Sequence, residues 1–134
     1  MQGVSAAQFN LGVMYEKGQG VSKNQQKAAE WYRKAAEQGN ANAQNSLGIM
    51  YYNGEGVLKD HQEAVKWFQR AALHGNAMSQ INMAIVYEEI DPVQSYAWRI
   101  IAAKNNQKGA QSSLQKYKSS LSLSQLEEAQ HLAD

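Results

Sequence analysis

The chain has 134 residues, 13 basic and 12 acidic, a formal net charge of +1 and no cysteine. Balanced charge without a basic stripe speaks against nucleic acid. The missing cysteine excludes a disulfide framework and thiolate metal sites. No apolar run approaches the roughly 18–20 residues of a membrane span, and no basic-then-apolar signal peptide is present.

From the N-terminus the chain repeats itself with a period of 36 residues. AQFNLGVMY (7–15) returns as AQNSLGIMY (43–51) and again as SQINMAIVY (79–87). KGQGV (17–21) returns as NGEGV (53–57), and AAEWYRKAAEQGN (28–40) as AVKWFQRAALHGN (64–76). A period of this size marks a solenoid, in which each unit covers its neighbour's apolar face. Gln2 and Gly3 match Gln38 and Gly39, which sets Met1 at the tail of what would be a preceding second helix. Either the native chain begins there or an upstream segment, such as an export signal, was removed; both cytoplasm and periplasm stay open.

Each unit reads as two helices. In the first unit Ala7, Leu11, Gly12 and Tyr15 share a stripe at spacings of three and four. Gly12 lacks a side chain and lets the partner helix approach. Helix A should end near Gly18, which tolerates the left-handed conformation. Helix B then runs from about Asn24 to Gln38, with Ala28, Trp31, Tyr32, Ala35 and Ala36 inward. The second unit repeats this with Ala43, Leu47, Gly48 and Tyr51, then Ala64, Trp67, Phe68, Ala71 and Ala72. All three tryptophans, Trp31, Trp67 and Trp98, are expected in the core.

The third unit departs from the pattern. Tyr87 and Trp98 are five residues closer than Tyr51 and Trp67, so the glycine loop is missing. Asp91-Pro92 stands there instead, a cap followed by proline at the first helical position. Met83-Ala84 replaces the leucine-glycine pair. Ala110 and Leu114 open a fourth helix of the first type. The closing segment starts with overlapping capping boxes, Ser122 with Gln125 and Ser124 with Glu127. There Leu123, Leu126, Ala129 and Leu132 are expected to face inward as a terminal cap. The reading is all-α, with eight helices near 4–17, 24–38, 41–53, 60–74, 77–90, 92–105, 108–119 and 123–133. It is a single domain over 1–134, with units at about 5–40, 41–76 and 77–107 and a cap over 108–134.

The LG-x-x-Y of helix A and the A-x-x-x-[YF] of helix B resemble the tetratricopeptide pattern. The longer period, the G-x-G-V loop, the tryptophan before the aromatic and the K/R-A-A-x-x-G-N ending are more particular. Together they resemble the Sel-one-like repeat family, over residues 3–110. That resemblance implies a right-handed α-solenoid of antiparallel helix pairs with helix A on the concave side. It also implies an adaptor or scaffold role in processes as varied as quality control, signalling and host–microbe contact.

On the concave side, the residues opposite the buried stripe should be polar if that face is merely solvated. They include Phe9 and Val13, then Asn45, Ile49, Tyr52 and Asn53, then Met78, Ile81, Ile85, Glu88 and Glu89. An apolar patch with a polar rim is a sign of an interaction site for a protein or peptide. The glutamates would favour a basic group. The competing reading is that curvature packs Val13, Ile49 and Ile85 between neighbouring helices, or that the closing helix folds over the groove.

Little else carries chemistry. His61, His74 and His131 lack metal-ligand spacing, and no cofactor is expected. Ser113 and Lys116 match S-x-x-K formally, but S-D-N and K-T-G are missing, and the segment reads as a solvated helix face. The G-x-G loops lack the third glycine and the strand of a dinucleotide site. Gln8, Gln44, Gln80 and Gln111 recur at one position and are expected to hydrogen-bond between repeats. The sequence thus points to a non-catalytic bacterial protein–protein interaction module, monomeric or weakly dimeric. It could serve as a regulatory adaptor, a secretion-associated factor or an immunity protein. The enzyme alternative, β-lactam binding or hydrolysis, comes from cysteine-rich relatives whose paired cysteines are absent here.

Overall fold

The computed structural model describes residues 2–74, 76–88, 90–105, 114, 116 and 118–134. The described residues form helices joined by turns, with no strand. In chain order the helices are α1 (Gln2–Lys17), α2 (Gln25–Glu37), α3 (Ala41–Asn53), α4 (His61–Leu73), α5 (Ala77–Tyr87), α6 (Pro92–Lys104) and α7 (Leu123–Ala133). Most of the helix expected over 108–119, with Ala110 and Gln111, lies outside the described residues. The chain divides into two compact units, Met1–Asn76 and Ala77–Asp134.

Helix starts are written in the sequence as side-chain caps. Asn24, Asn40 and Asp60 accept from the backbone N–H groups of Lys27, Ala43 and Glu63 respectively. Asp91 accepts from Val93 and Gln94, with Pro92 beside it in the first turn. Each cap satisfies one or two of the donors that a helix start leaves unpaired. At the end of α3, Gly54 takes the left-handed conformation (φ 71°) and its N–H returns to Met50 O at 2.7 Å. A β-carbon there would be strained and would also crowd Lys59.

In the first unit, α1 packs on α2, α2 on α3 and α3 on α4. Ala28, Tyr32, Ala35, Ala36, Ala43, Leu47, Met50 and Trp67 form its buried core. Gly12 and Gly48 set the helix spacing. A β-carbon on Gly12 would lie 2.5 Å from the Tyr32 ring, and one on Gly48 2.6 Å from the Phe68 ring. Each aromatic ring thus occupies a notch that only glycine leaves open.

In the second unit, α5 packs on α6 and α6 on α7. Val93, Tyr96, Ala97, Ile100 and Ala129 are buried together, with Leu126 and Ala133 packed against them. Ser122 and Gln125 form the expected capping box, so α7 begins at Leu123 and the box at Ser124 is not used. The inward stripe of α7 differs from the expected one. Leu126, Ala129 and Ala133 face α6, whereas Leu123 and Leu132 are exposed. The reason is rotational: at 3.6 residues per turn those two leucines flank the inward stripe on opposite sides.

Three other expectations change. Ala7 is exposed, while Ala43 at the same repeat position is fully buried. The cause is that α3 has packed neighbours in α2 and α4, whereas α1 packs on α2. Of the tryptophans only Trp67 is fully in the core; Trp31 and Trp98 are half-buried. Indole is large enough that one helix pair seldom covers it. On α2 the Lys34 ammonium lies over the Trp31 ring, 4.4 Å from its centroid.

Candidate functional site: the faces of the A helices

Helices α1, α3 and α5 open the three repeats, and α2, α4 and α6 close them. One carbonyl fixes the turn between the two helices in every repeat. Tyr15, Tyr51 and Tyr87 accept at this carbonyl from the backbone N–H of the cap residues Asn24, Asp60 and Asp91, at 2.9, 2.9 and 2.8 Å. The third connection is five residues shorter and still makes this bond. Within each repeat the end of helix A is therefore held in the same way against the start of its own helix B.

The recurring glutamines hold the other end of each pair. Gln38, His74 and Asn105, at one repeat position, reach Gln8, Gln44 and Gln80 at 2.8, 3.4 and 2.7 Å. Gln44, nearly fully buried, also donates to Ala36 O at 3.0 Å and so joins the first repeat to the second. The expected bonding between repeats is present at Gln44. At Gln8 and Gln80 the bond closes a repeat on itself.

The candidate interface residues fall into two groups. On α1, Phe9 and Val13 pack against the core of the first unit, and the Phe9 and Tyr32 ring centroids are 5.6 Å apart. Both are half-buried there. On α3, Ile49 remains 37% exposed. Tyr52 is half-buried with its ring stacked on His61, 4.6 Å between centroids at 13°. Asn53 donates to Glu55 at 3.1 Å, and Asn45 is half-buried. In the second unit Met78 is 53% and Ile85 43% exposed, with Ile81 half-buried. Glu89 and Ser113 lie outside the described residues.

Glu88 does more than edge this face. Its carboxylate pairs with the buried Arg99 at 3.3 Å. The same position in the first repeat is Glu16, which accepts from the Tyr32 hydroxyl; burial and then the Glu16 carboxylate push that phenol well above the usual tyrosine range. Sequence inspection had the signal for both pairs. Glu16 and Tyr32 are separated as Tyr52 and Phe68 are, and Glu88 and Arg99 match once the five-residue deletion is subtracted. A charge at the end of helix A occurs where helix B supplies a polar partner, and Tyr52 stands where Phe68 supplies none.

Among the described residues no group of three or more His, Cys, Asp or Glu could hold a metal ion. No helix among them is long and apolar enough to cross a membrane. The faces thus offer apolar contact and amide hydrogen bonding.

The family model of the Sel1 repeat matches residues 5–40 and 41–76. Among solved structures, the chain is similar to a Sel1 repeat protein from Oxalobacter formigenes, with 40% identity and a TM-score of 0.79. That match covers 84% of this chain and 49% of the other. It is also similar to a protective antigen present in uropathogenic Escherichia coli strains displaying an SLR fold. There the identity is 29%, the TM-score 0.76, and the coverage 98% of this chain and 37% of that one. The chain therefore spans half or less of these relatives. No curated protein matches it.

Proposed function

The chain belongs to the Sel1 repeat family of all-α, tetratricopeptide-like solenoids, and from that premise we propose that it is a non-catalytic adaptor that binds a protein or peptide through the outward face of α3 in the first unit, the outward face of α5 being a separate contact surface of the second. Repeats of this family generally mediate protein–protein interaction and are typically non-catalytic. One observation carries the choice of face: Ile49, Met78 and Ile85 are left exposed on helix sides where a solvated helix would be polar. Tyr52 adds a ring already held flat against His61, so little rotamer freedom is lost on binding. Asn42, Asn45 and Asn53 supply amides on the same helix as Ile49 and Tyr52, and Asn42 is already held by Asn76 at 3.1 Å. Phe9 and Val13 act from below, as support.

The test is site-specific photo-crosslinking from position 49, with position 66 on the exposed side of α4 as control, followed by titration of the captured partner. Tyr52→Ala should weaken that partner by roughly 1–3 kcal/mol with helix content unchanged. Capture from position 66 but not 49, or an affinity indifferent to Tyr52→Ala, would move the interface away from the A helices.

A further inference from the structure

The outer side of α2 carries Lys27, Glu30, Lys34 and Glu37, all exposed. On a helix of 3.6 residues per turn these four fall within one arc of about 80°. That arc lies opposite the buried Ala28, Tyr32, Ala35 and Ala36. The signs alternate along the stripe, and they are antisymmetric about the level of Tyr32. Turn a second α2 antiparallel about that level and each lysine meets a glutamate. Lys27 faces the second copy's Glu37, and Glu30 faces the second copy's Lys34; the two-fold axis then repeats both contacts. We propose that α2 is a self-complementary docking surface, on which a second copy of this chain seats its own α2 antiparallel.

The homologous helix shows that this pattern is not a by-product of the repeat. On α4 the four positions are Glu63, Lys66, Arg70 and Leu73. The same two-fold would set Lys66 against the second copy's Arg70, and like charges exclude that pairing. Pairing α2 with a second copy's α4 fails too, because Lys34 would meet Lys66 and Glu37 would meet Glu63. Charge on α4 is instead satisfied at home, Lys66 with Glu63 at 3.3 Å. On α2 no ion pair among the described residues joins any of the four groups. Its ammonium groups rest on rings, Lys27 over Tyr15 at 5.5 Å and Lys34 over Trp31 at 4.4 Å from the centroids. Both glutamates are left facing solvent. Glu30, Lys34 and Glu37 of the stripe also line a groove of about 450 Å³, with Arg33 and the half-buried Val57 on its wall.

An isologous contact of this kind closes at two copies. One 13-residue helix is about 20 Å long, too short to bury the roughly 1,200–2,000 Å² of a tight complex. The dimer is therefore weak and salt-sensitive. It uses a surface distinct from the A-helix faces and does not rest on the partner proposed there.

Sedimentation equilibrium of the full chain tests this at low and high salt. The Debye length falls from about 30 Å at 0.01 M to about 3 Å at 1 M, and the dissociation constant should rise by roughly tenfold or more. Glu30→Lys with Glu37→Lys should sediment as a monomer, as should Lys27→Glu with Lys34→Glu. An equimolar mixture of the two should form a heterodimer. The fourfold exchange Lys27→Glu, Glu30→Lys, Lys34→Glu, Glu37→Lys keeps the net charge and the antisymmetry, and should dimerise as the wild type does. Glu127→Lys with Glu128→Lys changes net charge by the same amount on α7 and should leave the dimer intact. Circular dichroism verifies folding of each variant. A wild type monomeric at low salt, a dimer indifferent to reversal on α2, or a mixture that stays monomeric would each overturn the proposal.

Discussion

The first two helix pairs and the third solve one packing problem differently. In α1–α2 and α3–α4, a glycine on helix A admits an aromatic ring from helix B. In α5–α6, Ala84 stands at the glycine position and Arg99 at the ring position, and Glu88 pairs with that guanidinium. Ser95, where the earlier repeats have Ala28 and Ala64, donates its hydroxyl to Ala84 O at 2.7 Å. A notch filled by a ring is replaced by a slightly fuller helix face, a backbone hydrogen bond and an ion pair. Both versions keep the tyrosine carbonyl that fixes the turn. The lesson is that the repeat conserves the approach of two helices and lets the chemistry that secures it vary, provided glycine, ring and end-of-helix charge change together.

The strongest way to break this comparison is to remove a ring from the best-packed pair. Trp67 is 5% exposed and lies in the core of the first unit, while Trp31 and Trp98 at the same repeat position are half-buried. Trp67→Ala should therefore cost about 3–5 kcal/mol, and Trp31→Ala and Trp98→Ala clearly less. Urea unfolding with a common slope measures all three. Equal losses would mean that the three pairs are packed alike and that the contrast between them is superficial.

A sharper test exchanges one solution for the other. Glu88→Ala removes a charged hydrogen-bond partner of the buried Arg99 and should cost about 1.5–3 kcal/mol, toward the low end because Glu88 is 40% exposed. Arg99→Phe alone should also destabilise, since a ring would meet Ala84 instead of a glycine. Adding Ala84→Gly opens the notch and should recover part of that loss, although glycine in a helix interior costs about 1 kcal/mol by itself. The double-mutant cycle should show a favourable coupling of roughly 0.5–3 kcal/mol. Strict additivity would mean that Ala84 and Arg99 do not occupy the glycine and ring sites of the earlier repeats.

Much of this was legible in the chain. The period of 36, the Asp91-Pro92 cap and the Ser122 capping box are local signals, set by backbone donors a few residues away, and each formed where expected. The notch glycines were legible as well, because nothing else explains Gly12 and Gly48 inside helical stripes. What the stripe could not report was its neighbours. Ala7 and Ala43 are identical in pattern but differ in burial, because packing on one side or two is a tertiary fact. Phe9 faces away from the stripe by spacing, yet packs against the core through the Tyr32 ring, whose size carries it past its own helix. The stripe through Leu123 and Leu132 fails because a short helix with five leucine or alanine positions admits two rotations, and the one adopted turns Leu126, Ala129 and Ala133 toward α6. The ion pair of Glu88 is masked by the deletion, which sets its partner eleven residues away instead of the sixteen that separate Glu16 from Tyr32.

The smallest effect tests whether Glu16 belongs to this scheme. Tyr32→Phe gives the first repeat the ring of the second, keeping the notch filled while removing the bond to Glu16. Loss of that bond should cost roughly 0.5–1.5 kcal/mol near neutral pH. The pH dependence is the more telling readout. Burial and the Glu16 carboxylate hold the Tyr32 proton to higher pH than in the unfolded chain, where tyrosine ionises near about 10. Above that value the unfolded state binds fewer protons than the folded state, so stability falls as pH rises. The contribution of Tyr32 is fully present below about pH 10 and is lost as pH climbs toward the folded value. Phenylalanine has no such term, and the remaining tyrosines and lysines are common to both proteins. The stability gap between wild type and Tyr32→Phe should therefore be constant up to about pH 9 and shrink above about pH 10. A gap that stays constant would show that the phenol is not held against Glu16, and the end-of-helix charge of the first repeat would then have no counterpart role to that of Glu88.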